Sequence, residues 1–97
     1  MKIWAKVIKG EHITQSTLYE VKGFFELNNL LDYLTDICQG FDIPRPMVLN
    51  KHFRQFHNFN HTVFKPEDFV ESVDFDKFMI EVAIEKNKKS TDFYSSL

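Results

Sequence analysis

Glycine, cysteine and long apolar runs are all scarce in this 97-residue chain, and each shortage excludes a class of protein. The three glycines are isolated, so the chain lacks the glycine-rich loop of the common nucleotide-binding motifs. The single cysteine, Cys38, has no partner for an internal disulfide, which is typical of a reducing compartment. There is no apolar run of roughly 18 residues, and residues 1–10 alternate apolar residues with lysine. We therefore predict a cytoplasmic protein with neither a membrane span nor a secretory signal.

Signatures of the common enzyme classes are also missing. The chain contains no serine-hydrolase, kinase or dinucleotide-binding motif, no His-Glu-x-x-His and no pair of cysteines. General acid–base catalysis needs two titratable groups in different environments of one cleft, and no such pair stands out among the acids of residues 66–85. We therefore predict no cofactor, and we favour a non-enzymatic protein over an enzyme.

The composition suits one folded domain. Apolar residues make up 43% and charged residues 27% of the sequence, both ordinary values for a globular protein. A chain of this length supplies one hydrophobic core without metals or disulfides. We predict a single domain over residues 1–85. Residues 86–97 lack apolar periodicity, and we interpret them as a polar, mobile tail whose only apolar anchors would be Phe93, Tyr94 and Leu97.

Alternation of period two at the N-terminus predicts a β-hairpin. Strands over residues 2–9 and 13–21 would be joined by the turn Gly10-Glu11, with glycine where a type II′ turn needs a positive φ. A regular register then gives these pairs: Ile8 with Ile13, Trp4 with Thr17, and Ile3 with Leu18.

Helical periodicity follows in two segments. The first predicted helix begins within residues 25–28 and ends at Gly40, and its buried stripe comprises Leu27, Leu30, Leu31, Leu34, Ile37, Cys38 and Phe41. Because free cysteines are mostly buried, we interpret Cys38 as a small apolar core residue rather than a nucleophile. The second helix, of about ten residues, would have Asn50 as its N-cap and end at Asn60. Its predicted apolar arc comprises Leu49, Phe53, Phe56 and Phe59.

Strand-like segments return in the C-terminal part. A short strand over residues 61–65 precedes Pro66, and one or two helical turns reach to about Glu71. The last strand covers residues 77–85, with these side chains inward: Phe78, Ile80, Val82 and Ile84. The order strand, strand, helix, helix, strand, strand predicts an α+β fold: an antiparallel sheet of about four strands with helices packed on it.

Aromatic rings and histidines concentrate in the second half of the chain. Seven of the eleven phenylalanines lie between Phe53 and Phe78, and we interpret their rings as core filler. Three of the four histidines are His52, His57 and His61. Two histidines that share a metal on one helical face need a spacing of three or four, which only His57 and His61 have. A small enzyme or metal-binding protein that uses His57, His61 and nearby acids is therefore one alternative.

Charge is divided into two consecutive blocks. Residues 41–65 carry four cationic side chains and one acidic side chain, a net charge of +3, and residues 66–85 carry seven acidic and one cationic, a net charge of −6. A basic face beside exposed rings would suit nucleic acid. The candidate basic patch comprises Arg45, Lys51, Arg54 and Lys65. Its few cations and the adjacent acids count against nucleic-acid binding, which stays the other alternative.

Both faces of the predicted hairpin carry apolar side chains. One face would pack on a helix, while the face with Trp4, Ile8 and Ile13 needs a cover from the second helix or from a partner chain. An aromatic residue within an apolar patch is typical of protein interfaces. Our first interpretation is therefore a small cytosolic accessory or protein-interaction protein that binds itself or another protein through the N-terminal hairpin.

Three short segments carry a resemblance to a known family. They are Val-Leu-Asn-Lys-His at 48–52, Phe-Lys-Pro-Glu-Asp-Phe-Val-Glu at 64–71 and Val-Asp-Phe-Asp-Lys at 73–77. With them the chain resembles a family of small uncharacterised proteins from low-GC Gram-positive bacteria, over the C-terminal half and more loosely over the hairpin. The resemblance implies a bacterial, cytosolic, free-standing protein. It implies no activity and no functional residues.

Overall fold

The computed structural model describes residues 1–83, which form a four-stranded antiparallel sheet with two α-helices. The elements are β1 (Lys2–Lys9), β2 (His12–Glu20), α1 (Leu30–Phe41), α2 (Asn50–Phe59), β3 (His61–Phe64) and β4 (Lys77–Ala83). The strand order across the sheet is β2-β1-β4-β3. The predicted α+β fold is confirmed. The predicted tail over residues 86–97, and the last two residues of the strand predicted over 77–85, lie outside the described residues.

One face of the sheet, which we call the inner face, builds the core together with both helices. The strand residues on this face that are at most 2% exposed are Ile3, Ala5, Val7, Thr62, Phe64, Phe78 and Ile80. From α1, Phe41 meets Phe78 edge to face, with ring centroids 6.3 Å apart. From α2, the His52 ring lies over Phe64 at 4.4 Å. Burying one such phenylalanine contributes about 2 kcal/mol. In the described part of the chain, no helix covers the opposite, outer face.

The hairpin turn forms as predicted. Gly10 has φ of 61°, and the turn Gly10-Glu11 brings Ile8 opposite Ile13. The Gly10 N–H donates to the carboxylate of Asp76, at 2.6 Å, and the Asp76 N–H donates to the carbonyl of Ile8, at 2.9 Å. Asp76 therefore joins the hairpin turn to the start of β4.

The hairpin register differs from the prediction because β2 contains a β-bulge. Val7 pairs with Gln15, which leaves Thr14 as an extra residue, and the Thr14 hydroxyl donates to the Val7 carbonyl at 3.2 Å. The predicted pairs of Trp4 with Thr17 and Ile3 with Leu18 are therefore wrong. Because alternate strand residues point to opposite faces, the bulge places Leu18 opposite Trp4 on the outer face.

Helix α1 starts and ends close to the predicted positions, but for other reasons. One 3₁₀ turn, Leu27–Asn29, precedes it within the predicted region. Gly40 lies inside the helix, so the prediction that it ends α1 is wrong. The helix ends instead at Asp42, with φ of 58°, and the Ile43 N–H donates to the Cys38 carbonyl at 3.0 Å. Short acidic side chains tolerate this left-handed conformation, so Asp42 takes the role often filled by glycine.

The buried stripe of α1 also differs in part from the predicted one. Cys38 is 2% exposed, which confirms its assignment to the core. Leu31 is 39% exposed, however, while Tyr33 is buried between Tyr19 and Phe25, with centroid distances of 6.0 and 5.6 Å. Helix α1 therefore buries Tyr33 in place of Leu31, where the aromatic contacts with Tyr19 and Phe25 form. No helix within residues 1–83 has both the length and the apolar character needed to cross a bilayer.

Helix α2 ends at Asn60 as predicted, since Asn60 adopts φ of 62°. Its N-cap is Leu49 rather than Asn50, which is already helical. The Leu49 N–H donates to Nδ1 of His52 at 2.9 Å, so a histidine three residues into the helix caps it from within. The predicted apolar arc is only partly correct. Phe56 is buried, but Phe59 is 64% exposed.

The connection from β3 to β4 is more irregular than predicted. The helical turns expected to reach Glu71 form one 3₁₀ turn, Pro66–Asp68. The side chain of Asp68 accepts the Lys65 N–H at 2.9 Å, and the Asp68 carbonyl accepts the Met47 N–H at 2.8 Å. Asp68 thus joins the start of this turn to the segment that leads into α2.

Candidate functional site

The outer face of the sheet is the first candidate site, and it contains the predicted interaction residues. Trp4 is 38% exposed and Ile13 is 55% exposed, while Ile8 is half-buried. Leu18, which the bulge brings opposite Trp4, is 56% exposed. The sequence missed Leu18 because nothing local marks the position of the bulge. The face therefore offers an apolar patch of four side chains that no helix of residues 1–83 covers.

Polar contacts fix the indole of Trp4 on this face. The Trp4 Nε1–H donates to the Ser16 hydroxyl at 2.8 Å. The Lys6 ammonium lies 4.0 Å from the centroid of the Trp4 ring and 3.2 Å from a carboxylate oxygen of Glu81. A ring held this way presents apolar area without losing side-chain freedom on binding, because that freedom is already lost in the monomer.

The four residues of the candidate basic patch do not act as one surface. Arg45 donates to the Thr35 hydroxyl of α1 at 3.0 Å, which draws it away from α2. Arg54 is exposed on α2 but does not line a cavity with the others. Lys51 and Lys65 do come together, on opposite walls of a groove. The structure therefore brings two of the four cations to one place.

This groove lies between α2 and β3 and is the second candidate site. It encloses about 380 Å³ and is lined by Lys51, Gln55, Phe59, His61, Val63, Lys65 and Asp68. On one wall, Lys51, Gln55 and Phe59 lie four residues apart along α2. On the other wall, His61, Val63 and Lys65 are alternate residues of β3 and the position that follows it. The exposed ring of Phe59 lies at one end beside His61, with centroids 6.4 Å apart. The predicted place of Phe59 in the core is therefore wrong.

Beneath this groove, His52 and Asp68 form a buried pair. Nε2 of His52 lies 3.5 Å from Oδ2 of Asp68, and the two side chains are 1% and 7% exposed. Nδ1 of His52 accepts a backbone N–H and so carries no proton, which leaves the proton on Nε2 facing the carboxylate. Burial lowers the pKa of His52, and the nearby Asp68 carboxylate acts in the opposite direction. Nε2 makes no hydrogen bond within the described residues, so the pair is a buried contact rather than an open acid–base site.

The remaining histidines are not brought to a common point. Nδ1 of His57 contacts the side-chain oxygen of Asn58 at 3.1 Å, and Nδ1 of His61 contacts the carbonyl of Phe59 at 3.1 Å. His57 lines a separate small cavity beside Phe56, while His61 lines the α2–β3 groove. Within residues 1–83, no three His, Cys, Asp or Glu side chains lie close enough to hold a metal ion.

Two other titratable groups serve the fold. The Tyr19 hydroxyl donates to Oδ2 of Asp36 at 2.6 Å, which joins β2 to α1 and raises the pKa of Tyr19 to about 12. Burial raises the pKa of the Cys38 thiol to about 12 as well. A thiol that stays protonated at neutral pH is a poor nucleophile and a poor metal ligand.

No protein-family model, no curated protein and no solved structure matches this chain. The resemblance to small proteins of low-GC Gram-positive bacteria stays a prediction. The function has to be argued from the two surfaces themselves.

Proposed function

We infer that this protein is a small, non-enzymatic interaction protein that self-associates through the outer face of its sheet. The observation that carries this proposal is the exposure of Trp4, Ile13 and Leu18 together on one face. Apolar residues exposed singly are ordinary, but here they form two cross-strand pairs on one face, Trp4 with Leu18 and Ile8 with Ile13, with one polar pair between them. Exposed apolar pairs that include a tryptophan are typical of an interface. Half-buried Ile8 extends the same patch towards the hairpin turn.

The partner that best fits this face is a second copy of the chain. A two-fold dimer places each surface against itself, so the surface must offer both signs of charge. The outer face carries the cationic Lys6 and the anionic Glu81 next to Trp4, in β1 and β4. These two charges pair with each other at 3.2 Å within one chain, so this polar part of the face is already neutralised when the apolar side chains of a second copy pack against it.

The other functions have less support in the geometry. Nucleic-acid binding needs several phosphate contacts, whereas Arg45 is held at α1 and only Lys51 and Lys65 converge. Acid–base catalysis in the groove would need His61 and Asp68 to act together. They lie at opposite ends of it, because His61 begins β3 and Asp68 lies in the Pro66–Asp68 turn beyond the end of that strand. The carboxylate of Asp68 is also occupied by the Lys65 N–H.

Light scattering after size-exclusion chromatography tests the proposal. The wild-type chain should give a mass twice that of the 11.6 kDa monomer, and Leu18→Lys should return it to the monomer mass. Val70→Lys is the matched control, because Val70 is an 86% exposed aliphatic residue in the connection between β3 and β4. It should leave the dimer intact.

The single tryptophan supplies an independent measurement. Dilution of the wild-type protein should shift the emission of Trp4 to longer wavelength as the indole becomes solvated, and Leu18→Lys should show the shifted spectrum at every concentration. A wild-type chain that stays at the monomer mass at high concentration, with unchanged emission, rules out self-association.

A further inference from the structure

We propose that the groove between α2 and the free edge of β3 binds an extended acidic peptide of a partner protein, which adds to the sheet as a fifth strand. The side chains of His61 and Val63 project from the outer face, but this site lies at the β3 edge, separated from Trp4 by β4, and does not depend on self-association. The proposal rests on the unpaired backbone of β3, on the matching dimensions of the two groove walls, and on the charge at one end of the groove.

β3 uses only alternate backbone groups in its ladder to β4. The Val82 N–H donates to the Asn60 carbonyl at 2.8 Å, which fixes the alternation of the ladder between β3 and β4. The backbone N–H and C=O groups of Thr62 and Phe64 therefore bond to β4, and those of His61 and Val63 point away from β4. Among residues 1–83, no hydrogen bond satisfies these outward groups. They face the groove and offer an incoming strand a donor and an acceptor.

The groove has two walls of matching length. Helix α2 runs antiparallel to β3, and the helical wall from Lys51 to Phe59 spans about 12 Å at 1.5 Å per residue. The strand wall from His61 to Lys65 spans about 13 Å at 3.3 Å per residue. The two walls thus match over the length of five extended residues. A peptide strand between them would bond to β3 on one side and place alternate side chains against α2.

The two ends of the groove differ in chemistry. At one end the exposed ammonium groups of Lys51 and Lys65 lie on opposite walls. Asp68 is also at this end, but its side chain is 7% exposed and turned towards His52 and the Lys65 N–H. The accessible charge is therefore positive. At the other end, the 64% exposed ring of Phe59 offers an apolar contact.

The positive charge at one end and the exposed ring at the other define the peptide that the groove would bind. Residues four apart on a strand point the same way and lie about 13 Å apart, which is the length of the groove. The peptide therefore needs an acidic residue at one position and a large apolar residue four positions away. Antiparallel pairing is the commoner and more stable arrangement. It places the acid first in the sequence, so the motif is Asp or Glu, three further residues, and then Phe, Leu or Trp.

The C-terminal residues of this chain do not carry that motif. Residues 84–97 contain three lysines and two acids, and Glu85 and Asp92 are followed four positions later by Lys89 and Ser96. Neither of these is apolar, and the positive net charge opposes binding beside Lys51 and Lys65. A peptide of another protein is therefore the better occupant.

Selection of random peptides displayed on phage, with the full chain as bait, tests the proposal. Enriched peptides should carry an acid four positions before a large apolar residue. Measured by fluorescence anisotropy, Lys51→Glu and Lys65→Glu should each weaken the best peptide about tenfold. Arg54→Glu, on the same helix but outside the groove, should change the affinity less than about twofold. Leu18→Lys, on the outer face, should leave it unchanged.

Val63→Pro tests the strand addition itself. It removes one outward N–H from the free edge and leaves the ladder to β4 intact, so peptide affinity should fall while circular dichroism stays native. The proposal is wrong if the enriched peptides lack the motif. It is also wrong if neither lysine substitution changes the affinity of the best peptide. Displacement by a synthetic peptide of residues 84–97 would identify the chain itself as the occupant and overturn it too. So would binding of single-stranded oligouridylate through Lys51 and Lys65 in the absence of any enriched peptide.

Discussion

His52 and Asp68 lie face to face in the core, with Nε2 of the imidazole 3.5 Å from Oδ2 of the carboxylate. Each is the third residue of its own helical turn, and each side chain accepts the backbone N–H that precedes that turn, from Leu49 and Lys65 respectively. Two capping residues from distant segments therefore meet at one point. Their contact joins the start of α2 to the Pro66–Asp68 turn and fixes the floor of the groove.

The stability of the protein should fall in mild acid because of His52. Burial lowers the folded-state pKa of His52 below the value of about 6.5 for an exposed imidazole. The charge of Lys51 acts in the same direction, and Asp68 opposes it. Below pH 6.5 the His52 imidazole binds a proton in the unfolded chain but stays neutral in the folded chain. The free energy of unfolding therefore decreases as pH falls from that value towards the folded pKa. Urea unfolding at several pH values measures this slope.

His52→Asn is the variant for this measurement, because an asparagine oxygen retains an acceptor for the Leu49 N–H. This variant should reduce the dependence of the free energy of unfolding on pH between pH 5 and 6.5. The lost contact with Phe64 should lower stability at every pH. His57→Asn, on the exposed side of the same helix, should leave the shape of the curve unchanged. An equal acid dependence in wild type and His52→Asn would contradict the assignment.

Asp76→Ala should destabilise the protein by about 1–2 kcal/mol, because it removes the charged acceptor of the Gly10 N–H. Thermal unfolding followed by circular dichroism measures the loss. Asp74→Ala is the matched control, since Asp74 is exposed two residues earlier and accepts no hydrogen bond within the described part of the chain. If both variants unfold at the same temperature, the link between the hairpin turn and β4 contributes nothing.

The Cys38 thiol should resist modification in the folded protein. It is 2% exposed, and burial raises its pKa to about 12. Its reaction with an aromatic disulfide reagent at pH 8 should be slower in buffer than in denaturant by about a thousandfold or more, because labelling requires opening of the core. Fast labelling of the native chain would show that α1 does not pack as described.

Asn60→Gly and Asn60→Ala should differ although both remove the same side chain. Asn60 ends α2 with φ of 62°, a conformation that glycine adopts freely and alanine does not. The alanine variant should lose about 1 kcal/mol of stability relative to the glycine variant, measured by urea unfolding. Equal stabilities would place the end of the helix elsewhere.

Hydrophobic periodicity was sufficient to predict the elements of this fold. Alternation marked β1 and β4, spacing of three and four marked α1, and Asn60 marked the end of α2. These signals are local, because they depend on which side of a strand or helix a residue occupies. The same reasoning placed Trp4, Ile8 and Ile13 on one face and found Cys38 in the core.

The remaining features depend on contacts between segments far apart in sequence. The bulge at Thr14 moves Leu18 beside Trp4, and the ring contact with Phe64 together with Asp68 selects His52 as the buried capping residue. The placement of α2 over the inner face leaves the outer face open and turns Phe59 towards solvent. The sequence alone determined which segments became strands and helices, since periodicity is a property of the local chain. Only the tertiary structure decided the register, the covered face and the groove, because these follow from packing free energies shared among distant segments.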